Sequence, residues 1–133
     1  MPATYYLANK LLDHQLGKTS YTMPTVYVGL SSTTPALAGT GATEPSGGSY
    51  ARVTTSGATW NAAASGSVTN ATVITFPLAT ADWVSAANLT YGILYDASSA
   101  GNMLGYGVLS VAKNVLNGDT PSIAIGALTV TIS

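Results

Sequence analysis

A mainly β fold, a β-sandwich or jelly-roll-like domain preceded by one N-terminal amphipathic helix, is what this sequence predicts. Three observations carry that reading. Apolar residues recur at three- and four-residue steps only near the N-terminus. From about residue 25 onward, seven or eight short alternating or β-branched stretches are separated by turn-rich spacers. No strand–helix–strand rhythm is present, so a nucleotide-binding α/β domain is not expected, and no internal repeat or heptad is found. The 133 residues amount to one domain. The expected organisation is a single domain over 1–133, with the helix at about 4–16 and the β part at about 25–133.

The elements follow in order. Thr4 is placed to cap a helix whose apolar positions are Leu7, Ala8, Leu11, Leu12 and Leu16, with Asn9, Lys10, Asp13 and His14 towards the other side. Gly17 stops it. The apolar stripe is expected to cover a face or edge of a sheet. Val26, Val28 and Leu30 then alternate with Thr25, Tyr27, Gly29 and Ser31, which predicts a half-buried strand. Thr33 to Gly48 holds Pro35, Pro45 and four glycines (39, 41, 47 and 48) and reads as a long loop.

Alternation returns at 50–55. The β-branched run from Val68 to Phe76 ends at Pro77, as a strand should. Leu89, Tyr91, Ile93 and Tyr95 mark another strand, Asp96 to Asn102 a polar turn, and Met103 to Leu109 its partner. A short strand is expected at 111–115. Asn117-Gly118-Asp119 is a turn signal, and the last strand starts at Ser122. Within it Ile123 and Ile125 have the opposite parity to Leu128, Val130 and Ile132. In a regular strand the two sets would face opposite sides of the sheet. A β-bulge or break is therefore expected at Gly126-Ala127, where it would restore one apolar face.

Composition narrows the function classes. Charged residues are only 7% of the chain, against about 25% in an average soluble domain. A surface of Ser, Thr, Asn and Gly suits a protein packed in an assembly or a secreted, low-charge setting. Four cationic residues and a net charge of −1 give no footprint for nucleic acid. The absence of Cys excludes disulfides and Cys-based zinc sites. The apolar runs around Ile93 and Ile125 are too short to span a bilayer. No signal peptide is seen, so synthesis in the cytoplasm is expected.

Chemistry is sparse. His14 is the sole histidine, so a Ser-His-Asp triad would have to use it, and its neighbour Asp13 points away from it on a helix. The carboxylates are Asp13, Glu44, Asp82, Asp96 and Asp119. Asp96 and Asp119 sit in turn sequences that favour Asp for backbone reasons. A calcium site from Asp96, Asn102 or Asp119 lacks a loop signature. Gly47-Gly48-Ser49-Tyr50 lacks the ending of a phosphate loop and a following helix. The eight tyrosines and two tryptophans could build a sugar platform, but most occupy strand positions that suit a core or a subunit interface. The expectation is no enzyme, no cofactor and no metal.

Several runs together carry a resemblance. They are Tyr6-Leu7-Ala8-Asn9-Lys10-Leu11-Leu12-Asp13-His14, Val26-Tyr27-Val28-Gly29-Leu30-Ser31, Gly39-Thr40-Gly41-Ala42-Thr43-Glu44 and Ser46-Gly47-Gly48-Ser49-Tyr50-Ala51-Arg52-Val53. Later come Ile74-Thr75-Phe76-Pro77, Ala79-Thr80-Ala81-Asp82-Trp83, Gly101-Asn102-Met103-Leu104 and Asn117-Gly118-Asp119-Thr120. In this order, over nearly the whole chain, they resemble small tailed-phage virion proteins, often labelled tail fibre proteins and also compared with head decoration proteins. One departure is Asp82-Trp83-Val84-Ser85, where a glycine is expected soon after the tryptophan.

The resemblance implies a structural virion role without catalysis. The leading expectation is a capsid decoration, or cement, protein on the head surface that stabilises the head by binding the major capsid protein. No elongated shaft sequence is present, and an interface of roughly 1,600 Å² in total would hold such a protein in place. The alternative is a tail fibre or tail-tip module binding host-surface glycan. A homo-oligomer, dimer or trimer, is expected, with no nucleic acid and no membrane partner. Candidate partner-interface residues are Lys10 and His14 on the helix, and Glu44, Tyr50 and Arg52 around the long loop. Arg52 is expected to pair either with Glu44 or with a partner's carboxylate.

Overall fold

The computed structural model describes residues 2–83 and 88–132. The fold is mainly β with one helix at the N-terminus, as expected. Helix α1 (Tyr5–Gln15) is headed by Thr4, whose hydroxyl accepts from the Leu7 N–H. Leu16 and then Gly17, at φ 77°, close it in the left-handed turn that glycine adopts without a Cβ clash.

Among the described residues eight strands follow: β1 (Tyr27–Ser31), β2 (Val53–Thr54), β3 (Ser67–Thr69), β4 (Ile74–Thr75), β5 (Leu89–Tyr95), β6 (Met103–Lys113), β7 (Ser122–Ile123) and β8 (Thr129–Thr131). A four-stranded sheet runs β2-β1-β5-β6, and two ribbons pair β3 with β8 and β4 with β7. These pairings are antiparallel. One buried cluster joins the layers. Val28, Leu30, Leu89, Leu94, Leu104 and Leu109 of the sheet meet Ile74, Phe76, Ile123 and Leu128 from the ribbon side. Trp83 enters beside Phe76, edge to face at 6.4 Å between ring centroids. This is a two-layer, sandwich-like arrangement.

Several elements differ from the sequence reading. Strand β1 is not half-buried: Val28 to Ser31 are all buried, because the long loop folds over the Gly29 side. The run expected as one strand from Val68 to Phe76 splits into β3 and β4. Between them the carboxamide of the fully buried Asn70 bonds to the Thr72 and Ala124 carbonyls and to the Leu128 N–H. The 50–55 stretch shrinks to β2, since β1 pairs it only at Tyr27 and Val28. The strands expected at 103–109 and 111–115 merge into β6. That strand absorbs the extra length by irregular pairing, from Tyr91–Val108 to Leu89–Lys113.

The break near Gly126 is present. Ile125 and Gly126 form a turn, Gly126 takes φ 75°, and β7 and β8 consequently pair with different strands. The turn leaves Ile123 and Leu128 buried but exposes Ile125 and Ile132, so the apolar face is restored only in part. The turn expected after Trp83, at 84–85, lies outside the described residues.

The helix also departs from expectation. No residue of α1 is buried. Its N-terminal end is held to β6, where the Thr4 N–H donates to the Leu104 carbonyl and the Thr4 hydroxyl to that of Met103. Tyr6 and Leu7 pack against the core. The C-terminal half runs clear of the sheet and leaves Leu12 and Leu16 exposed.

Candidate functional site

The long loop carries Glu44, and the chain entering β2 carries Tyr50 and Arg52. All three converge over Gly29. Arg52 forms a two-point pair with Glu44, Nε to Oε1 at 3.0 Å and Nη2 to Oε2 at 2.7 Å. The Tyr50 hydroxyl donates to Glu44 Oε1 at 2.7 Å and accepts from the Leu30 N–H at 3.0 Å. The second terminal nitrogen of Arg52 donates to the Ala97 and Ala100 carbonyls, 2.8 Å each. The Tyr95 ring lies under the guanidinium, 3.5 Å from its centroid. Trp83 closes the cluster edge-on to Tyr50, 5.1 Å between centroids.

The electrostatics follow from that enclosure. Burial pushes the Tyr50 hydroxyl far above the ordinary tyrosine range. Its hydrogen bond to Glu44 and the Glu44 charge act in the same direction, against the Leu30 N–H and Arg52. A planar, two-pronged Arg–carboxylate contact is among the strongest hydrogen-bonded pairs in proteins. Here it clamps the long loop and the Asp96–Asn102 turn to the sheet. Of the alternatives open for Arg52, the structure takes the internal one, and the polar groups of Glu44, Tyr50 and Arg52 are satisfied within the chain.

Lys10 and His14 lie apart from this cluster, exposed on α1. The Lys10 ammonium sits 5.7 Å from the centre of the Tyr6 ring. His14 Nδ1 accepts from the Tyr21 N–H at 3.0 Å, which folds the residues after Gly17 back onto the helix.

Three of the four remaining acids serve turns. Asp96 accepts from the Asn102 N–H and side-chain amide at 2.7 and 3.0 Å. Asp119 accepts from the Leu116 N–H at 2.9 Å, and Asp82 from the Asn117 N–H at 2.8 Å. Burial alone would raise Asp96; the hydrogen bonds from Asn102, aided by the Tyr6 hydroxyl, outweigh it and hold this carboxyl below its ordinary value. Among the described residues no three His, Cys, Asp or Glu side chains gather in a way that could hold a metal ion, and no helix is long and apolar enough to cross a membrane.

A feature missing from the sequence reading is an apolar groove between α1 and the body. Leu7, Tyr21, Pro24, Trp60, Leu94 and Val130 line it. Its signal in the sequence is Tyr21 and Pro24, apolar residues in a segment that is neither helix nor strand.

A family model described as podophage GP4 fiber I protein gp80 matches residues 2–131. The chain belongs to that family. No curated protein matches it. Family membership makes the protein a structural component of a phage virion, in contact there with other virion proteins. In this gp80-family chain the clamp holds the chain's own loop and turn to its sheet, and the family fits the tailed-phage resemblance seen in the sequence.

Proposed function

We propose that the protein is a small structural subunit of the tail fibre apparatus, one that acts by lasting protein–protein contact and catalyses no reaction. The observation that carries this reading is the match over 2–131 to a family whose description names a fibre. The geometry supports it. The Glu44, Tyr50 and Arg52 side chains, with Asp82, Asp96 and Asp119, are engaged in holding loops and turns. The exterior is poor in charge and displays Tyr5, Leu12, Leu16, Met23, Val108 and Val111. A charge-poor exterior of this kind suits a protein covered by neighbours in an assembly. A glycan-binding role draws less support, because Trp83 is buried and Tyr50 and Tyr95 pack around Arg52.

Head decoration is the second reading. It is favoured by the two-layer layout around one core, with no repeating shaft among the described residues. Electron cryo-microscopy of purified virions, with the protein carrying a small density tag, tests the choice. The fibre reading expects tag density at the tail, few copies, and poor adsorption by a deletion phage. Tag density across the head lattice, with normal adsorption and heads that burst on osmotic shock, would overturn it in favour of decoration.

A further inference from the structure

The residues after α1 form a strap with a single polar tether along its middle. At its start the Lys18 and Thr19 N–H groups donate to the Asp13 carbonyl, at 2.8 and 3.3 Å. At its end the Val26 carbonyl accepts from the Thr55 N–H and hydroxyl, at 2.9 and 2.8 Å. Between these anchors, among the described residues, the one hydrogen bond made by residues 20–25 runs from the Tyr21 N–H to Nδ1 of His14, at 3.0 Å. No residue of the strap is buried, so little packing supplements that bond. We infer that His14 is a pH-sensitive latch: its neutral ring keeps the strap in place as one wall of the apolar groove, and protonation of the ring releases it.

The chemistry follows from the tautomer. A ring nitrogen that accepts an N–H carries no hydrogen, so the neutral ring of His14 holds its hydrogen on Nε2. A proton added in acid goes to Nδ1 and leaves two N–H groups facing each other. The bond is then lost outright, because an imidazolium can only donate. Among the described residues no carboxylate is ion-paired with His14 to offset that loss. The ring is exposed and stands in the last turn of α1, where a cation is favourably placed against the helix carbonyls. Once it has turned away from Tyr21, its charge is well accommodated. The direction follows from proton linkage. The closed strap binds one proton fewer than the open one, so closure is favoured in neutral solution and is lost as the pH falls through the imidazole range.

The charged and titratable neighbours do not share this role. On the helix they are Asp13, next in sequence and turned away, and Lys10, whose ammonium sits over the Tyr6 ring. Lys18 and Tyr21 belong to the strap, and Tyr6 and Asp96 act on the Tyr21 hydroxyl. Amines and phenols titrate in alkali and carboxylates near pH 4, so between about pH 7.5 and about pH 5.5 an imidazole is the side chain that changes charge.

Opening also removes a cost of the closed form. The Tyr21 hydroxyl is shut off from solvent without a hydrogen-bond partner, an arrangement that disfavours the state containing it. A released strap lets that hydroxyl meet water. Tyr21 and Pro24 wall the groove beside Leu7, Trp60 and Leu94, so release strips two residues from the wall and uncovers apolar surface behind them.

Hydrogen exchange of the purified full chain, followed amide by amide by nuclear magnetic resonance, tests the latch. After correction for the intrinsic pH dependence of exchange, protection of the Tyr21 amide is expected to fall about tenfold between about pH 7.5 and about pH 5.5, the equilibrium worth of one such bond. The amides of β5, an inner strand of the sheet, should keep their protection over the same range. His14→Ala, a change at an exposed position, should leave the Tyr21 amide weakly protected at both pH values. A Tyr21 amide equally protected at both in the wild type overturns the inference. A pH-dependent loss that persists in His14→Ala overturns it as well, by assigning the effect to another group. Loss of β5 protection alongside that of Tyr21 would do the same, since the sheet and not the strap would then be opening.

Discussion

Gly29 faces the Glu44 carboxylate so closely that a methyl group on its α-carbon would fall 2.8 Å from Oε1, and as close to the Tyr50 hydroxyl. The glycine is thus the floor of the clamp: β1 passes beneath a charged pair because nothing projects from it there. Gly29→Ala is expected to destabilise the fold by about 1–3 kcal/mol, the usual cost of overpacking. Urea unfolding measures it. A variant as stable as the wild type would mean that the carboxylate can retreat, and that the clamp is looser than its distances imply.

The pair above that floor has side chains only 6% exposed for Arg52 and 21% for Glu44. Removing one member strands the other, so Arg52→Ala is expected to cost about 3–5 kcal/mol. Arg52→Lys should recover little, because an ammonium cannot span both carboxylate oxygens and two carbonyls at once. The double change Glu44→Gln, Arg52→Met should cost less than the two single changes added together. Denaturant titration of the four proteins closes the cycle.

How far the sequence foretells this arrangement differs from element to element. The helix, the Asp96–Asn102 turn and the break at Gly126 were all legible, because cap residues, turn formers and side-chain parity are local signals. Asn70 was not. In a run of β-branched residues it reads as one outward polar position, and only the distant chain at Ala124 and Leu128 makes it an interior bridge. The helix stripe was legible as a stripe, but periodicity does not say whether the chain's own sheet covers it. Among the site candidates, Glu44, Tyr50 and Arg52 do come together, within the chain. Lys10 and His14 stay apart from them, exposed on α1.

Tyr50 gives a pH signature. Its hydroxyl is held protonated well above the ordinary tyrosine value of about 10. The folded value is the raised one, so the stabilisation is complete below about pH 10 and is lost as pH climbs beyond it, where the unfolded chain releases the proton and the folded one does not. Stability should therefore fall steadily in strong alkali. Ultraviolet titration of the folded protein should show a tyrosine that ionises only as the chain unfolds, and Tyr50→Phe should abolish that component. Tyr21 and Tyr95 are also raised, chiefly by burial, so the difference between the two titrations, not the midpoint of either, is the diagnostic.

Asn70 offers the sharpest test of the ribbon layer. Its amide nitrogen donates to the Thr72 and Ala124 carbonyls, 2.8 Å each, and its oxygen accepts from the Leu128 N–H at 3.0 Å. Asn70→Ala leaves those groups buried without partners and is expected to cost about 3 kcal/mol. Asn70→Asp should be worse at neutral pH, since a carboxylate can only accept and would face two carbonyl oxygens. Acidification should return part of that loss, because a protonated carboxyl again has a hydrogen to donate. Urea unfolding at pH 7 and at about pH 4 should thus show the gap between Asn70→Asp and wild type narrowing as the pH falls. An equal gap at both values would mean that Thr72 and Ala124 do not depend on this side chain, and that packing alone holds β3–β8 to β4–β7.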